Sequence, residues 1–287
     1  MHQTKMDCEA ALLSLAFAGR ALEAMEGLQQ MLQEEPERAS TWTALGIAAA
    51  IAERVQVSIS ALRRARDLDP SDVLAKAYLG IVLEACGRRN EAGDLLDYAG
   101  FICRQPLFSE KGPGDLARFN RLDHVLRHPT RAWQPAQKAT HGGWQTGELL
   151  NDDVEVIREF KLALYRKLDE VIGQPETGGV WRLTAWAVAL GKGGYQEPHV
   201  HQAAIVSGVY YAQIPPDCGK TGSLRFPRSL PWLPHASHAG APYVLHPCTG
   251  EVVIFPSNFW HETDPLASDH LRVSIAFDVL KGAAECR

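Results

Sequence analysis

Two histidines, His199 and His201, stand one residue apart in EPHVHQAAIVSGVYY, just ahead of a run that reads as a β-strand. Residues i and i+2 of an extended segment point the same way, so both imidazoles can reach one cation. A third, His261, lies in FPSNFWHETDP, between two predicted strands. The second of these, LRVSIAFDV, alternates, with Arg272, Ser274 and Ala276 on one face and Val273, Ile275 and Phe277 on the other. An inward face that begins Arg-x-Ser needs an anion, because a guanidinium is a fixed fork of donors that matches a carboxylate. Taken singly, each residue has a plainer reading. A His-x-His pair is more often a solvated strand edge than a metal site, and a buried arginine is usually half of an ion pair. All five together describe a cation site beside an anion anchor.

A His-x-acid pair, a distant histidine, and an arginine about ten residues later with a hydroxyl two beyond it form the pattern of the Fe(II)- and 2-oxoglutarate-dependent oxygenases, which this order of residues resembles. The flanking text HGGWQTGELL, GGYQEPHVHQAAIVSGVYYAQIP and GEVVIFPSNFWHETDP…LRVSIAFDV is similar to an oxygenase branch often fused to tetratricopeptide repeats. The resemblance spans roughly residues 139 to 280. It implies a double-stranded β-helix (a jelly-roll, cupin-like barrel), with Fe(II) as metal and 2-oxoglutarate and O2 as cosubstrates. It further implies His199 as first ligand, His261 as distal ligand, and Arg272 with Ser274 as the anchor for the far carboxylate of 2-oxoglutarate. Tyr211 falls on a strand tyrosine that helps to bind that carboxylate, and Tyr210, on the opposite face, reads as core. The activity implied is hydroxylation, with succinate and CO2 as coproducts.

The departure from the pattern is His201, which occupies the usual carboxylate position. Three neutral imidazoles leave a divalent ion its full charge, so metal affinity and redox poise should differ from those of a site with a carboxylate. Glu197 has the same parity and could serve instead, although Pro198 disturbs the local geometry. A shifted register, with His201 as first ligand, would leave Ala203 at the carboxylate position. His201 is the reading taken. His235, His238 and His246 lie in PWLPHASHAGAPYVLHP and read as loop residues.

These residues need a scaffold of strands. After Gly179 come VWRLTAWAVAL, AIVSGVYYAQI, GSLRF, PYVLH, GEVVIFP and LRVSIAFDVL, separated by turn residues. Many short strands without alternating helices predict an antiparallel sandwich or barrel. Just before them, NDDVEVIREFKLALYRKLDEVIG places Val154, Ile157, Phe160, Leu164, Leu168 and Val171 at helical spacing, with Asn151 or Asp152 as cap and Gly173 as stop. This flanking helix should cover one face of the sheet.

The first third of the chain repeats itself with a shift of 34 residues, which sets Pro36 against Pro70, Leu45-Gly46 against Leu79-Gly80, and Ile47 against Ile81. That is the tetratricopeptide length, and residues 5 to 106 resemble about three such repeats. Gly46 and Gly80 would let paired helices approach, and each proline would end a second helix. The fold class expected is therefore α+β. Residues 1–106 form a helical repeat domain, 107–150 a punctuated connector with one short helix around DLARFNRLDHVL, and 151–287 the oxygenase domain.

The 287 residues carry 29 basic and 34 acidic side chains, a net charge of −5, without a Lys/Arg run, so nucleic acid is not an expected partner. Six scattered cysteines without a CxxC pair fit a reducing cytoplasm. AALLSLAFAG resembles the apolar part of a signal peptide, but Asp7 and Glu9 stand where a positive flank should be, so no secretory signal is expected. No stretch is apolar enough for a membrane helix. A concave helical array offers an extended surface, so a peptide or protein partner or substrate is expected at the repeats. Two competing functions share these residues: a three-histidine enzyme without 2-oxoglutarate (a dioxygenase or zinc hydrolase), and a non-catalytic repeat scaffold. Neither needs Arg272 and Ser274 behind the metal.

Overall fold

A computed structural model describes residues 2–108, 139–175, 179–234 and 239–284. The expected short helix in DLARFNRLDHVL, and His235 and His238, lie outside these residues. The chain divides into two compact units, Met1–Asp97 with Pro227–Tyr243, and Tyr98–Phe226 with Val244–Arg287.

The first unit consists of helical hairpins. α1 (His2–Phe17) pairs with α2 (Ala21–Glu34), α3 (Ala39–Ile51) with α4 (Val55–Leu68), and α5 (Val73–Ala85) with the short α6 (Arg89–Ala92). Pro36 and Pro70 follow the ends of α2 and α4, as expected of a residue that cannot extend the hydrogen-bond ladder. The 34-residue period reappears as a contact. A Cβ on Gly46 would meet Leu62 Cγ at 2.5 Å, and one on Gly80 would meet Leu96 Cγ at 3.2 Å, each pair being the other shifted by one repeat. The third hairpin departs from the pattern. Where α4 carries the buried Ile59, the next repeat has Gly93 at φ 44°, and the helix gives way there to a 3-10 turn, Gly93–Leu95. The left-handed conformation that glycine permits breaks the second helix after one turn.

Pro227–Tyr243 belongs to this unit although it is remote in sequence. Glu84, 1% exposed, accepts from the Gly240 amide at 2.9 Å and from Arg89 Nε at 3.0 Å, with Arg228 Nη1 at 3.6 Å. Burial pushes the Tyr78 phenol up to about 12, offset in part by its hydrogen bond with Trp232. Part of the His- and Pro-rich stretch read as loop thus packs on helices of its own unit.

The second unit is one curled antiparallel sheet with a helix on one face. α7 (Tyr98–Phe101) leads into β1 (Cys103–Pro106); β2 (Thr140–Gln145) and α8 (Glu155–Ile172) follow. The remaining strands are β3 (Val180–His199), β4 (Ala204–Gln213), β5 (Leu224–Phe226), β6 (Tyr243–Leu245), β7 (Glu251–Pro256), β8 (His261–Thr263) and β9 (Arg272–Ala284). Their order is β1-β7-β4-β9-β3-β8-β5-β6, with β2 also on β3. This curled, half-barrel sheet agrees with the expected jelly roll.

β3 makes the curl. Along one edge it pairs with β9 over Val180 to Leu190 and then with β8 over Gln196 to His199. The predicted strand ended at Leu190, because GKGG reads as a turn, yet the strand runs on through these glycines. β2 lies against them so closely that a Cβ on Gly194 would meet the Gly142 carbonyl at 2.6 Å. Glycines here permit a bent strand and a close neighbour rather than a reversal.

Alternation assigns the two faces. Ala185, Ala187, Ala189, Tyr210, Ala212, Val273, Ile275 and Phe277 form a core with Ile157, Phe160, Leu164 and Leu168 of α8. Burial of each larger side chain contributes roughly 1.5–3 kcal/mol. A Cβ on Gly208 would sit 2.2 Å from Phe277 Cζ, so glycine is needed where that ring crosses β4. The expected cap of α8 is not made. The helix begins at Glu155, so Val154 occupies the N-cap, without a side-chain bond, and the Asp152 amide bonds the Leu149 carbonyl in the preceding turn. No helix among the described residues is long and apolar enough to cross a membrane.

Candidate metal and cosubstrate site

The opposite face of the same sheet carries the polar residues. His199 ends β3 and His261 begins β8, and the two are direct cross-strand partners, their ring centroids 4.2 Å apart. His201 follows in the turn to β4, held by its amide to the Ser257 carbonyl and by its own carbonyl to the Ala204 amide. Its ring lies 5.2 Å from His199 and 5.1 Å from His261. One ligand atom from each of the three lies within 4.8 Å of the others.

The hydrogen bonds settle the tautomers. His199 Nδ1 lies 2.7 Å from the Glu197 carbonyl, His261 Nδ1 3.0 Å from the Phe259 carbonyl, and His201 Nδ1 2.9 Å from Asp278 Oδ2. A carbonyl oxygen can only accept, and an ionised carboxylate likewise, so each Nδ1 carries the proton and donates it. In a neutral ring with Nδ1 protonated, Nε2 keeps a free lone pair, the form in which imidazole binds a metal. Desolvation, with His201 adding like-charge repulsion, lowers the pKa of His199 to about 4. The same two causes, with His199 and His201 as the neighbours, hold His261 well below the usual imidazole range. Both are therefore neutral and able to ligate at pH 7.

Glu197 does not join the cluster. Its carboxylate, more than half exposed, lies 3.0 Å from His141 Nε2. The shifted register with Ala203 is likewise not what the fold assembles, since His199 itself stands in the cluster.

Arg272, Ser274 and Ala276 lie on the inward face of β9, and Arg272 and Ala276 line the same cavity as the three histidines, with Trp186 and Phe255. Arg272 is 3% exposed, pairs with no carboxylate among the described residues, and its Nε has no hydrogen-bond partner. Its guanidinium lies 5.0 Å from the centroid of Tyr211, whose phenol is raised by burial and pulled back by Arg272. Ser274 pairs with both Val188 and Tyr211, and its hydroxyl makes only a 3.5 Å contact with the Val188 carbonyl. Tyr210 is in the core on the other face. His246 is a loop residue whose Nδ1 meets Ser223 Oγ at 2.6 Å. The fold thus brings together His199, His201 and His261, and beside them Arg272, Ser274 and Tyr211.

Asp278 is what the sequence reading passed over. Its Oδ1 accepts from Ser207 Oγ at 2.7 Å, and it is 7% exposed. The signal was present, for Asp278 is the next step after Arg272, Ser274 and Ala276 on one strand face.

A divalent cation and a dicarboxylic acid fit this set. Three converging Nε2 lone pairs offer the cation three ligands, and a buried guanidinium with an unsatisfied Nε offers the acid a partner. Residues 184–278 match the model of the family described as "Putative 2OG-Fe(II) oxygenase". Among solved structures the chain is similar to a prolyl-4-hydroxylase of Pseudomonas putida, at 20% identity over 65% of this chain and 96% of that one, with a TM-score of 0.47. It is also similar to HygX from Streptomyces hygroscopicus with nickel, 2-oxoglutarate and hygromycin B bound, at 12% identity over 65% and 92% of the chains, with a TM-score of 0.45. A third is a prolyl hydroxylase from Trichoplax adhaerens in complex with a hypoxia inducible factor peptide fragment, at 13% identity over 71% and 90%, with a TM-score of 0.44. No curated protein matches by sequence.

Proposed function

We propose that the chain is a hydroxylating oxygenase that binds Fe(II) through His199, His201 and His261 and 2-oxoglutarate through Arg272, with Ser274 and Tyr211 beside it. The observation that carries this reading is Arg272, a buried cation without an anion, in the cavity that the three histidines line. Burying an unpaired charge is costly, so a ligand that supplies the missing carboxylate is bound strongly in return. With Fe(II), 2-oxoglutarate and O2 bound, the centre supplies oxidative decarboxylation, giving succinate and CO2 while one oxygen atom passes to the substrate.

The protein contributes positioning. Carbonyls of Glu197 and Phe259 and the carboxylate of Asp278 fix the three rings with Nε2 inward. Arg272 would hold the far carboxylate of the acid, and the buried Tyr211 and Phe255 would limit water beside it. A three-histidine enzyme without 2-oxoglutarate would leave Arg272 unexplained. The substrate we propose is a peptide, protein or carrier-bound group held by the helical unit, where Trp42, Leu32, Leu45 and Val57 line an open groove with Gln29, Gln33 and Gln56.

The test is anaerobic reconstitution of the full chain with Fe(II), followed by succinate measured after addition of 2-oxoglutarate and O2, with and without cell extract. Wild type should form succinate, and His261→Ala should bind no stoichiometric iron and form none. Absence of succinate from iron-loaded wild type under both conditions would contradict the reading.

A further inference from the structure

Three neutral imidazoles bring no negative charge to a divalent cation, and a cation moved into a protein cavity needs some. The carboxylates around the site have other partners. Glu197 is turned to His141. Glu262 and Asp264 pair with Arg225, at 3.4 and 2.7 Å. Asp278 differs from these in three ways. It is buried; its two oxygens meet His201 Nδ1 and Ser207 Oγ; and no lysine or arginine pairs with it among the described residues. A buried carboxylate without a cation therefore stands directly behind a metal-ligating ring, itself beside two further imidazoles.

We propose that Asp278 is the anion of this metal centre, acting through His201 rather than by coordination. This rests on the three-histidine reading above. As a positioning residue it holds the His201 ring so that Nε2 faces the cation. Its charge, one imidazole removed from the metal, offsets part of the charge that the ligands themselves leave uncompensated. Ser207 holds the other oxygen, which stops the carboxylate from rotating away. The negative charge of the site has been placed on β9 instead of at residue 201.

That last statement can be tested by moving the charge back. Co(II) alone is titrated into the metal-free full chain, competing against a chelator, for wild type, Asp278→Asn, His201→Asp, His261→Ala and the double variant His201→Asp/Asp278→Asn, with Tm measured in parallel. Asparagine keeps an acceptor for His201 Nδ1–H and removes only the charge, so Asp278→Asn should bind Co(II) about 10- to 100-fold more weakly at an unchanged or higher metal-free Tm. His201→Asp alone would set two carboxylates against each other and should bind poorly, whereas the double variant should recover to within a few-fold of wild type. Affinity of Asp278→Asn within twofold of wild type, or equal affinity of the single and double His201 variants, would overturn the role of Asp278 alone. Failure of wild type to bind Co(II), or binding unaffected by His261→Ala, would overturn the three-histidine reading and this inference with it.

Discussion

Glu84 and Arg272 are both buried charges, one in the helical unit and one in the strand unit, and they are treated in opposite ways. Glu84 is met by an amide and two arginines, all within its own unit, although its Oε2 makes no hydrogen bond. Arg272 is met by a tyrosine ring and by no anion among the described residues. Glu9 repeats the first pattern, accepting from Arg38 at 2.7 Å and from Ser40 at 3.1 Å. His199, His201 and His261 also keep an open group, each with Nδ1 satisfied and Nε2 unclaimed. The difference lies in countercharge: a buried charge met by opposite charges holds the fold together, and one left without them inside a cavity can take a charged ligand.

The comparison breaks if the two charges respond alike to removal. Glu84→Leu strands its donors and should cost about 1–3 kcal/mol in chemical denaturation. Arg272→Leu removes a charge that nothing compensates, so the metal-free protein should be unchanged or more stable. Equal destabilisation would mean that Arg272 is a structural residue.

A smaller effect concerns pH. The folded pKa of His199 lies at about 4, below its unfolded value of about 6.5. Between these values the unfolded chain binds more protons, so metal-free stability should fall as pH drops from about 6.5 to about 4, at up to about 1.4 kcal/mol per unit from this group. His261 is shifted in the same direction. Denaturation midpoints at pH 7, 6 and 5 for wild type and His199→Ala check this, since the variant should show the shallower slope. The smallest effect is expected at Glu197, whose exposed carboxylate faces His141. Glu197→Gln should bind metal within about twofold of wild type, because exposed pairs contribute only about 0–1 kcal/mol.

The parts of this arrangement that follow from backbone periodicity were legible in the sequence. Alternation along LRVSIAFDV separates Arg272 and Ser274 from Val273 and Ile275, and the 34-residue shift places Gly46 and Gly80 against their leucines. Features that depend on a remote neighbour were not. Whether GKGG turns or runs on depends on the glycines of β2 beside it, and whether Pro227–Tyr243 is loop or cover depends on Glu84. The choice between His201 and Glu197 was open for the same reason, since the sequence cannot show that His141 stands near one and Asp278 behind the other. Asp278 itself could have been read by extending the inward face one step.

The central claim is that Arg272 waits for the far carboxylate of 2-oxoglutarate. It is tested most directly by calorimetric titration of 2-oxoglutarate into the anaerobic, iron-loaded full chain, for wild type, Arg272→Leu and Arg272→Lys. Charge-assisted hydrogen bonds contribute about 1.5–3 kcal/mol each, and tenfold in Kd corresponds to about 1.4 kcal/mol. Arg272→Leu should therefore raise Kd by roughly tenfold or more with iron content unchanged, and Arg272→Lys should recover only part of the loss, since an ammonium lacks the guanidinium fork. An unchanged Kd in Arg272→Leu would contradict the claim and leave the three histidines to a chemistry without this cosubstrate.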